Sequence, residues 1–315
     1  MKKKEEGNKL GTFLRILLGL ILLAIVLASI DLKALAQAIL RIRIEFLALA
    51  VLAYFFLDLI LSYRLFRCLN VIGYKISWKD TFWTHLFGML LSNVTPGRAG
   101  YIGLIYLLNK KKKVPVTKSL SCIGTIESIE LIVKAIQALF GLAFIIYVTK
   151  NETLTQFGLI GIAIILFMSC TFLLLCWKEI RILNKIVENF PFFGKKVMQL
   201  IKEFKGASKT LKSKALFIAS FSILGWIARG IEWTFIGYAC NINLPFYVFF
   251  LLHPILTAIR YVPLTPAGIG MFEGITILGF TIFNVPMENA LLLSFFDRID
   301  NVIIDLFAIK EMKHL

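Results

Sequence analysis

The sequence predicts an all-α fold: a polytopic integral membrane protein of about six spanning helices with two re-entrant helical hairpins, arranged as an inverted repeat. Three observations lead there. Hydrophobic residues make up 58% of the 315-residue chain and charged residues only 17%, against about a quarter charged in an ordinary soluble domain. Several apolar runs reach the roughly 20 residues that a spanning helix needs. Those runs are continuous rather than alternating, which argues against a β-barrel.

The first run, at about 12–30, follows Lys2, Lys3, Lys4 and Lys9. It is long for the apolar region of a signal peptide, although Ala34-Leu35-Ala36 resembles a cleavage site. A retained first helix is the favoured reading. Further runs at 44–69, 118–148, 155–177, 215–240 and 286–310 are long enough to span. Two regions differ. Residues 81–94 and 101–108 are each too short to cross, and "TPGRAG" separates them. Residues 246–262 and 271–284 are also short, and "TPAGIG" separates them. Short apolar stretches of this kind mark re-entrant segments. The whole of 1–315 reads as a single transmembrane domain: an N-terminal helix and loop (1–43), a first repeat (44–148), a linking helix and basic loop (149–214) and a second repeat (215–310).

The net charge of +16 would suggest nucleic acid in a soluble protein. Here the positive-inside rule accounts for most of it, and no nucleic-acid partner is expected. The N-terminal lysines, Lys75 and Lys79, the run Lys110–Lys113, and the loop 178–214 with its ten Lys/Arg against three Glu all fall on the cytoplasmic side if each short pair enters and returns. Both termini are then cytoplasmic, in a cell membrane. Lys33, Arg41 and Arg43 fall on the opposite side. The basic loop interleaves apolar and basic residues at roughly helical spacing. It reads either as a helix on the anionic inner leaflet or as an ordinary cytoplasmic loop.

The two interrupted regions are related. Thr95, Pro96 and Gly100 recur 170 residues later as Thr265, Pro266 and Gly270, and the same offset takes Glu127 to Asp297 and Glu130 to Asp300. An arginine precedes each hairpin: Arg64 in the first half and Arg229 in the second. Non-helical backbone at membrane depth is tolerated only inside protein or along a polar cavity. Proline ends a helix, and glycine permits the turn that follows. Gly97 and Gly268 fall inside the two tips. Such paired interruptions point to a transport site, since they direct helix ends and free backbone groups at one place. Kinks used only for packing would give the same pattern.

Charged residues in the apolar runs are candidates for lining that site. Glu127, Glu130 and Lys134 share a helix face, as do Asp297 and Asp300, and Arg229 with Glu232. A charge at the bilayer centre costs a few kcal/mol at least, so these side chains face the interior and pair. They serve either as interhelical ion pairs or as a polar path for a charged headgroup or for protons. Arg98 lies in the first tip and Arg260 just before the second, where each could contact phosphate. Glu273, three residues past the second tip, caps it or lines the site. His253 reads as a packed histidine. Arg64 and Arg67 read as snorkelling residues, and Asp58 as a partner for one of them. The five cysteines show no metal-like or redox spacing and read as packing residues. No Walker A, HExxH or nucleophile elbow is present, and "GIGMFEG" lacks the βαβ context of a dinucleotide loop. No cofactor or metal is expected, and the longest polar stretch is too short for a separate catalytic domain.

At "PLTPAGIGMFEG" and the later "SFFDRID", the sequence resembles the lysylphosphatidylglycerol synthase transmembrane-region family, whose members are also called flippase-like or UPF0104 membrane proteins. Pro266, Gly268, Gly270, Glu273 and Arg298 match a family segment of the type Pro-Gly-Gly-x-Gly-x-x-Glu with a later Arg, and Ala267 replaces a glycine. In the first half, Asn93, Pro96, Gly97 and Gly100 match an Asn-x-x-Pro-Gly-x-x-Gly segment. Tyr101 stands where the family often has an acid, and no Arg occurs before Lys110. The resemblance covers roughly 10–310. It implies translocation, by flipping or scrambling, of an anionic or aminoacylated phospholipid or a polyprenyl-linked precursor. In that reading Arg98, Arg229 and Arg260 contact phosphate, while Glu127, Glu130, Asp297 and Asp300 contact a cationic headgroup or carry protons. Two alternatives are a membrane-embedded transferase, such as a phosphatidylglycerol lysyltransferase, and a non-transporting scaffold for a partner synthase or glycosyltransferase.

Overall fold

A computed structural model describes residues 2–95, 100–150, 152–178, 194–258, 260 and 264–314. Among the described residues all regular structure is helical. The helices are α1 (Lys2–Ala28), α2 (Leu32–Leu40), α3 (Ile44–Val71), α4 (Trp78–Val94), α5 (Tyr101–Lys112), α6 (Val116–Thr149), α7 (Glu152–Trp177), α8 (Gly194–Lys212), α9 (Ala215–Ala239), α10 (Phe246–Ala258), α11 (Met271–Thr281) and α12 (Met287–Asp305). Short 3-10 segments occupy Pro266–Gly268 and Leu306–His314.

Length and composition qualify α3, α6 and α9 as membrane spans. The first expected span is bent: α1 and α2 meet at 88° across a short break, and together they qualify as one more span. Asp31 explains the restart, since its carboxylate accepts the Lys33 N–H at 2.8 Å and so caps α2. At 34 residues, α6 is about 51 Å long, longer than the roughly 30 Å hydrocarbon core. The segment expected at 286–310 is a 19-residue α-helix followed by a 3-10 turn, and Glu288, Asp297, Arg298, Asp300 and Asp305 make it too polar to qualify by apolarity alone. The short segments are as expected. Helices α4, α5, α10 and α11 have 17, 12, 13 and 11 residues, so each is about 17–26 Å long and none crosses the core alone.

Element order repeats. A long helix, two short ones and another long one (α3 to α6) recur as α9 to α12. The turn joining the last two members is built the same way in each set. Lys113 and Asn284 both take positive φ, at 57° and 56°. Each is followed by a buried valine, Val114 or Val285, and then by Pro115 or Pro286, which precedes the next helix with φ −56° and ψ 140°. Proline suits that place because a helix start leaves its N–H unused.

The chain falls into two compact units. Unit 1 comprises residues 1–56, 86–102 and 227–309, and unit 2 comprises 57–85, 103–226 and 310–315. In unit 1, α11 packs on α12, α10 and α1, and α2 packs on α12. Its core is aromatic: Trp233, Phe249, Phe272 and Phe280 are fully buried, with Phe249 and Phe280 ring centroids 5.6 Å apart. In unit 2, α6 packs on α7 and α8. There a polar stripe of α6 meets α8: Thr117 donates to Glu203 at 2.9 Å, and Ser121 contacts Ser208 at 2.6 Å. Small hydroxyl side chains let two helices approach closely while satisfying each other.

Candidate functional site

The second tip organises unit 1. Helix α10 stops at Ala258, Pro266 opens a 3-10 turn, and Gly268 and Gly270 follow with φ of 72° and 79°. Glycine is required at 270 for a second reason. A Cβ there would lie 2.5 Å from Leu22 Cβ and 2.8 Å from the Gly19 carbonyl of α1. Helix α11 then begins, and Glu273 in its first turn is buried. One carboxylate oxygen accepts the Gly270 N–H at 2.7 Å and the other accepts Arg298 Nε at 2.7 Å. Glu273 therefore caps the tip and also pairs with Arg298.

Asp297 is the hub of the charged residues. It is fully buried, accepts Trp233 Nε1 at 2.6 Å and forms an ion pair with Arg260. The Arg260 guanidinium lies over the Phe272 ring, 3.6 Å from its centroid, with Arg298 at 5.3 Å from the same ring. Arg229 donates to Glu232 at 2.7 Å and to Asn301 at 2.8 Å, sits 4.0 Å from Asp297, and stacks 4.8 Å from the Tyr54 centroid. Asn301 also donates to the Asp297 carbonyl. At the end of α12, buried Asp305 accepts Asn93 Nδ2 at 2.8 Å and Tyr54 OH at 3.3 Å. Helix α3, the end of α4, and α9 to α12 thus converge on one buried polar network within unit 1. Arg229, Arg260, Glu232, Glu273, Asp297, Arg298 and Asp300 all belong to it.

Unit 2 holds a second network with the same logic. Arg64 of α3 is 3% exposed. It donates to Glu130 of α6 at 2.6 Å and to Ser222 of α9 at 2.5 Å, with Glu127 also acting on it electrostatically. Lys134 reaches Glu130 at 2.7 Å, the expected one-turn pair. So Arg64 with Glu127 and Glu130 in one unit parallels Arg229 with Asp297 and Asp300 in the other. Arg64 corrects the snorkelling expectation: burial forces it to pair inward. Arg67 is exposed and donates to Tyr63 OH at 3.0 Å. Asp58 is also a correction, because its partner is His85 at 3.4 Å rather than either arginine. His253 is buried against Trp233, ring centroids 4.7 Å apart.

The first tip is described in part. Pro96, Gly97 and Arg98 lie outside the described residues. Thr95 donates to the Leu91 carbonyl at 2.8 Å. Gly100 is buried, and a Cβ there would collide with the Leu91 and Ser92 backbone. Tyr101 OH donates to Met89 Sδ at 3.7 Å. Sequence reasoning missed Tyr54, Ser222, Trp233, Asn301 and Asp305. Asp305 left a signal, being the fourth acid of one helix in an otherwise apolar run. The others look like ordinary residues of a span until the packing is seen.

Interrupted helices around buried ion pairs, in a chain of apolar spans, define a polytopic membrane protein with a charged interior. Residues 12–308 match the family described as the lysylphosphatidylglycerol synthase TM region, and the chain belongs to that family. It is 24% identical over 316 residues to the UPF0104 membrane protein MJ1595 of Methanocaldococcus jannaschii, covering 93% of this chain and 91% of that one. A second relative from the same organism, the UPF0104 membrane protein MJ1078, is 27% identical over 207 residues, covering 64% of this chain and 83% of its own.

Proposed function

We propose that the protein translocates a lipid across the cell membrane, passing its headgroup through the polar interior of unit 1 while the acyl chains stay in the bilayer. The observation that carries this reading is the network around Asp297. Burying five carboxyl groups (Glu232, Glu273, Asp297, Asp300 and Asp305) and partly burying three guanidinium groups (Arg229, Arg260 and Arg298) beside interrupted helices is costly for a purely structural role. Hydrophobic packing would stabilise the same helices at less expense. A headgroup with phosphate and amine could exchange with these pairs one contact at a time. The family's name ties it to membrane lipid, and the substrate class in this reading is an anionic or aminoacylated phospholipid or a lipid-linked precursor. Arg260 and Arg298, 15% and 21% exposed at the side chain, would meet the phosphate. Arg98 would join them from the first tip, and Glu127 and Glu130 would serve a cationic group in unit 2. Both termini would face the cytoplasm.

The test is transfer of labelled phosphatidylglycerol and lysylphosphatidylglycerol between leaflets of vesicles containing the purified protein. Transfer faster than in protein-free vesicles is expected, and Arg260→Ala should slow it while the variant remains folded. Equal rates for both lipids with and without protein would sink the reading.

A further inference from the structure

Three arginines of the network around Asp297 are each paired with one acid. Arg229 pairs with Glu232, Arg260 with Asp297, and Arg298 with Glu273. That matching leaves Asp300 and Asp305 over, and Asp305 is satisfied by Asn93 and Tyr54. The Asp300 side chain is buried, with 4% of the residue exposed. One oxygen accepts the Asn301 N–H at 2.7 Å, and the other has no hydrogen-bond partner among the described residues. The Asp300 carboxyl neighbours that of Glu232, with Asp297 and Arg229 also acting on it.

The surrounding groups are already engaged. Arg229 serves Glu232, Asn301 and the Tyr54 ring. Asp297 is held by Arg260 and Trp233, and His253 of α10, packed on Trp233, acts on it electrostatically. Tyr54 of α3 donates to Asp305, and Glu273 of α11 is bound to Arg298. Two neighbouring carboxylates repel each other, and more strongly away from water. Desolvation adds a further cost for each buried ion. Neighbouring buried carboxyls relieve this by keeping a proton between them, and such a proton also supplies the donor that the orphan Asp300 oxygen lacks.

We propose that Glu232 and Asp300 hold one proton between them and exchange it for a cationic amine arriving on a lipid headgroup, so that lipid movement is tied to proton movement. This rests on the lipid-translocation reading above. In the exchange the carboxyl O–H bond breaks and the proton leaves to water. The ammonium then supplies the positive charge that the proton gave up, so charge is conserved at the site. Arg229 stays bound to Glu232 and fixes which face of the pair is open.

The test is infrared difference spectroscopy of the full-length protein in phosphatidylcholine vesicles during an acid-to-alkaline titration. The wild type should show a protonated-carboxyl C=O band equivalent to one group, and Asp300→Asn and Glu232→Gln should each remove it. Asp300→Asn mimics the protonated acid and keeps its shape, and Glu232→Gln provides a second, independent variant. Exposed Glu45 gives the control, Glu45→Gln, which should leave the band unchanged. Adding lysylphosphatidylglycerol to the vesicles should abolish the band, and phosphatidylglycerol should not. Absence of the band in the wild type, its survival in both variants, or its indifference to lysylphosphatidylglycerol would each overturn the proposal. Rapid lipid transfer without the band sinks the proton site alone. The expected band without transfer sinks the translocation reading and leaves the proton site in place.

Discussion

Arg229→Met keeps the length of the side-chain stem and removes the guanidinium. In the native protein that guanidinium lies 2.7 Å from Glu232 and 4.0 Å from Asp297, both of which have fully buried side chains. At an effective dielectric of 20, each such contact is worth about 4 kcal/mol. Much of that is offset by the cost of taking the arginine out of water. What the substitution leaves behind is a buried, uncompensated Glu232, and breaking a buried pair from one side costs about 3–5 kcal/mol. Removing the second charge as well, in Arg229→Met with Glu232→Gln, should recover about 2 kcal/mol or more of that loss, since residues in one network couple strongly. Steric trapping in bicelles measures the unfolding free energy of all four proteins in a lipid-like setting. The reasoning is refuted if Arg229→Met costs less than about 1 kcal/mol, or if the two substitutions add within about 0.5 kcal/mol.

Three further outcomes follow from the geometry. Glu130→Gln should destabilise unit 2 by about 3 kcal/mol, because Arg64 and Lys134 lose one shared partner; adding Arg64→Met should recover part of it in the same trapping assay. Gly270→Ala should cost at least about 1–3 kcal/mol from backbone strain alone, and heat-resistance of the detergent-solubilised protein should fall, because the new methyl also meets α1. Asp80, in the first turn of α4, is hydrogen-bonded by Lys112 at 2.6 Å, and that bond holds its carboxyl below the usual carboxylate range. Its stabilising contribution is therefore complete above the unfolded value, about 3.9, and is lost as pH falls through the lower folded value. The pair is partly exposed, so the effect is about 0.2–1 kcal/mol and shrinks in high salt. Unfolding of Asp80→Asn should show correspondingly less dependence on pH in that acidic window.

Features set by local spacing were legible in the sequence. The break between α4 and α5, the interruption at Pro266, the Glu130–Lys134 pair and the Arg229–Glu232 pair all depend on residues within a few positions of one another. Asp58 and Arg64 were misassigned for the opposite reason. Arg64 meets a carboxylate 66 positions away, and only the folded arrangement of unit 2 decides that. Tyr54 and Asp305 are 251 positions apart, and periodicity carries no information about such a meeting. One signal was present and unread: Lys113-Val114-Pro115 recurs as Asn284-Val285-Pro286 at an offset of 171 rather than 170. A search that allows no gap loses a match after a single inserted residue, although the turn geometry is preserved.

The contact of Gly19 and Leu22 with Gly270 has a consequence for how the chain is made. The two glycines are 251 positions apart by number (270 minus 19). At roughly 5–20 residues per second of synthesis, α1 is exposed for about 10–50 s before the tip that it seats has even been translated. During that interval its partner is lipid, and its surface suits the wait: Leu20, Ile21 and Ile25 are apolar and outward-facing in the finished protein as well. The glycine at 19 offers the late-arriving turn a seat without presenting the bilayer with a polar surface in the meantime. Assembly of the second tip is therefore a docking step against a helix already in place, and any substitution that makes α1 bulkier at 19 should show itself first as slow maturation rather than as failed insertion.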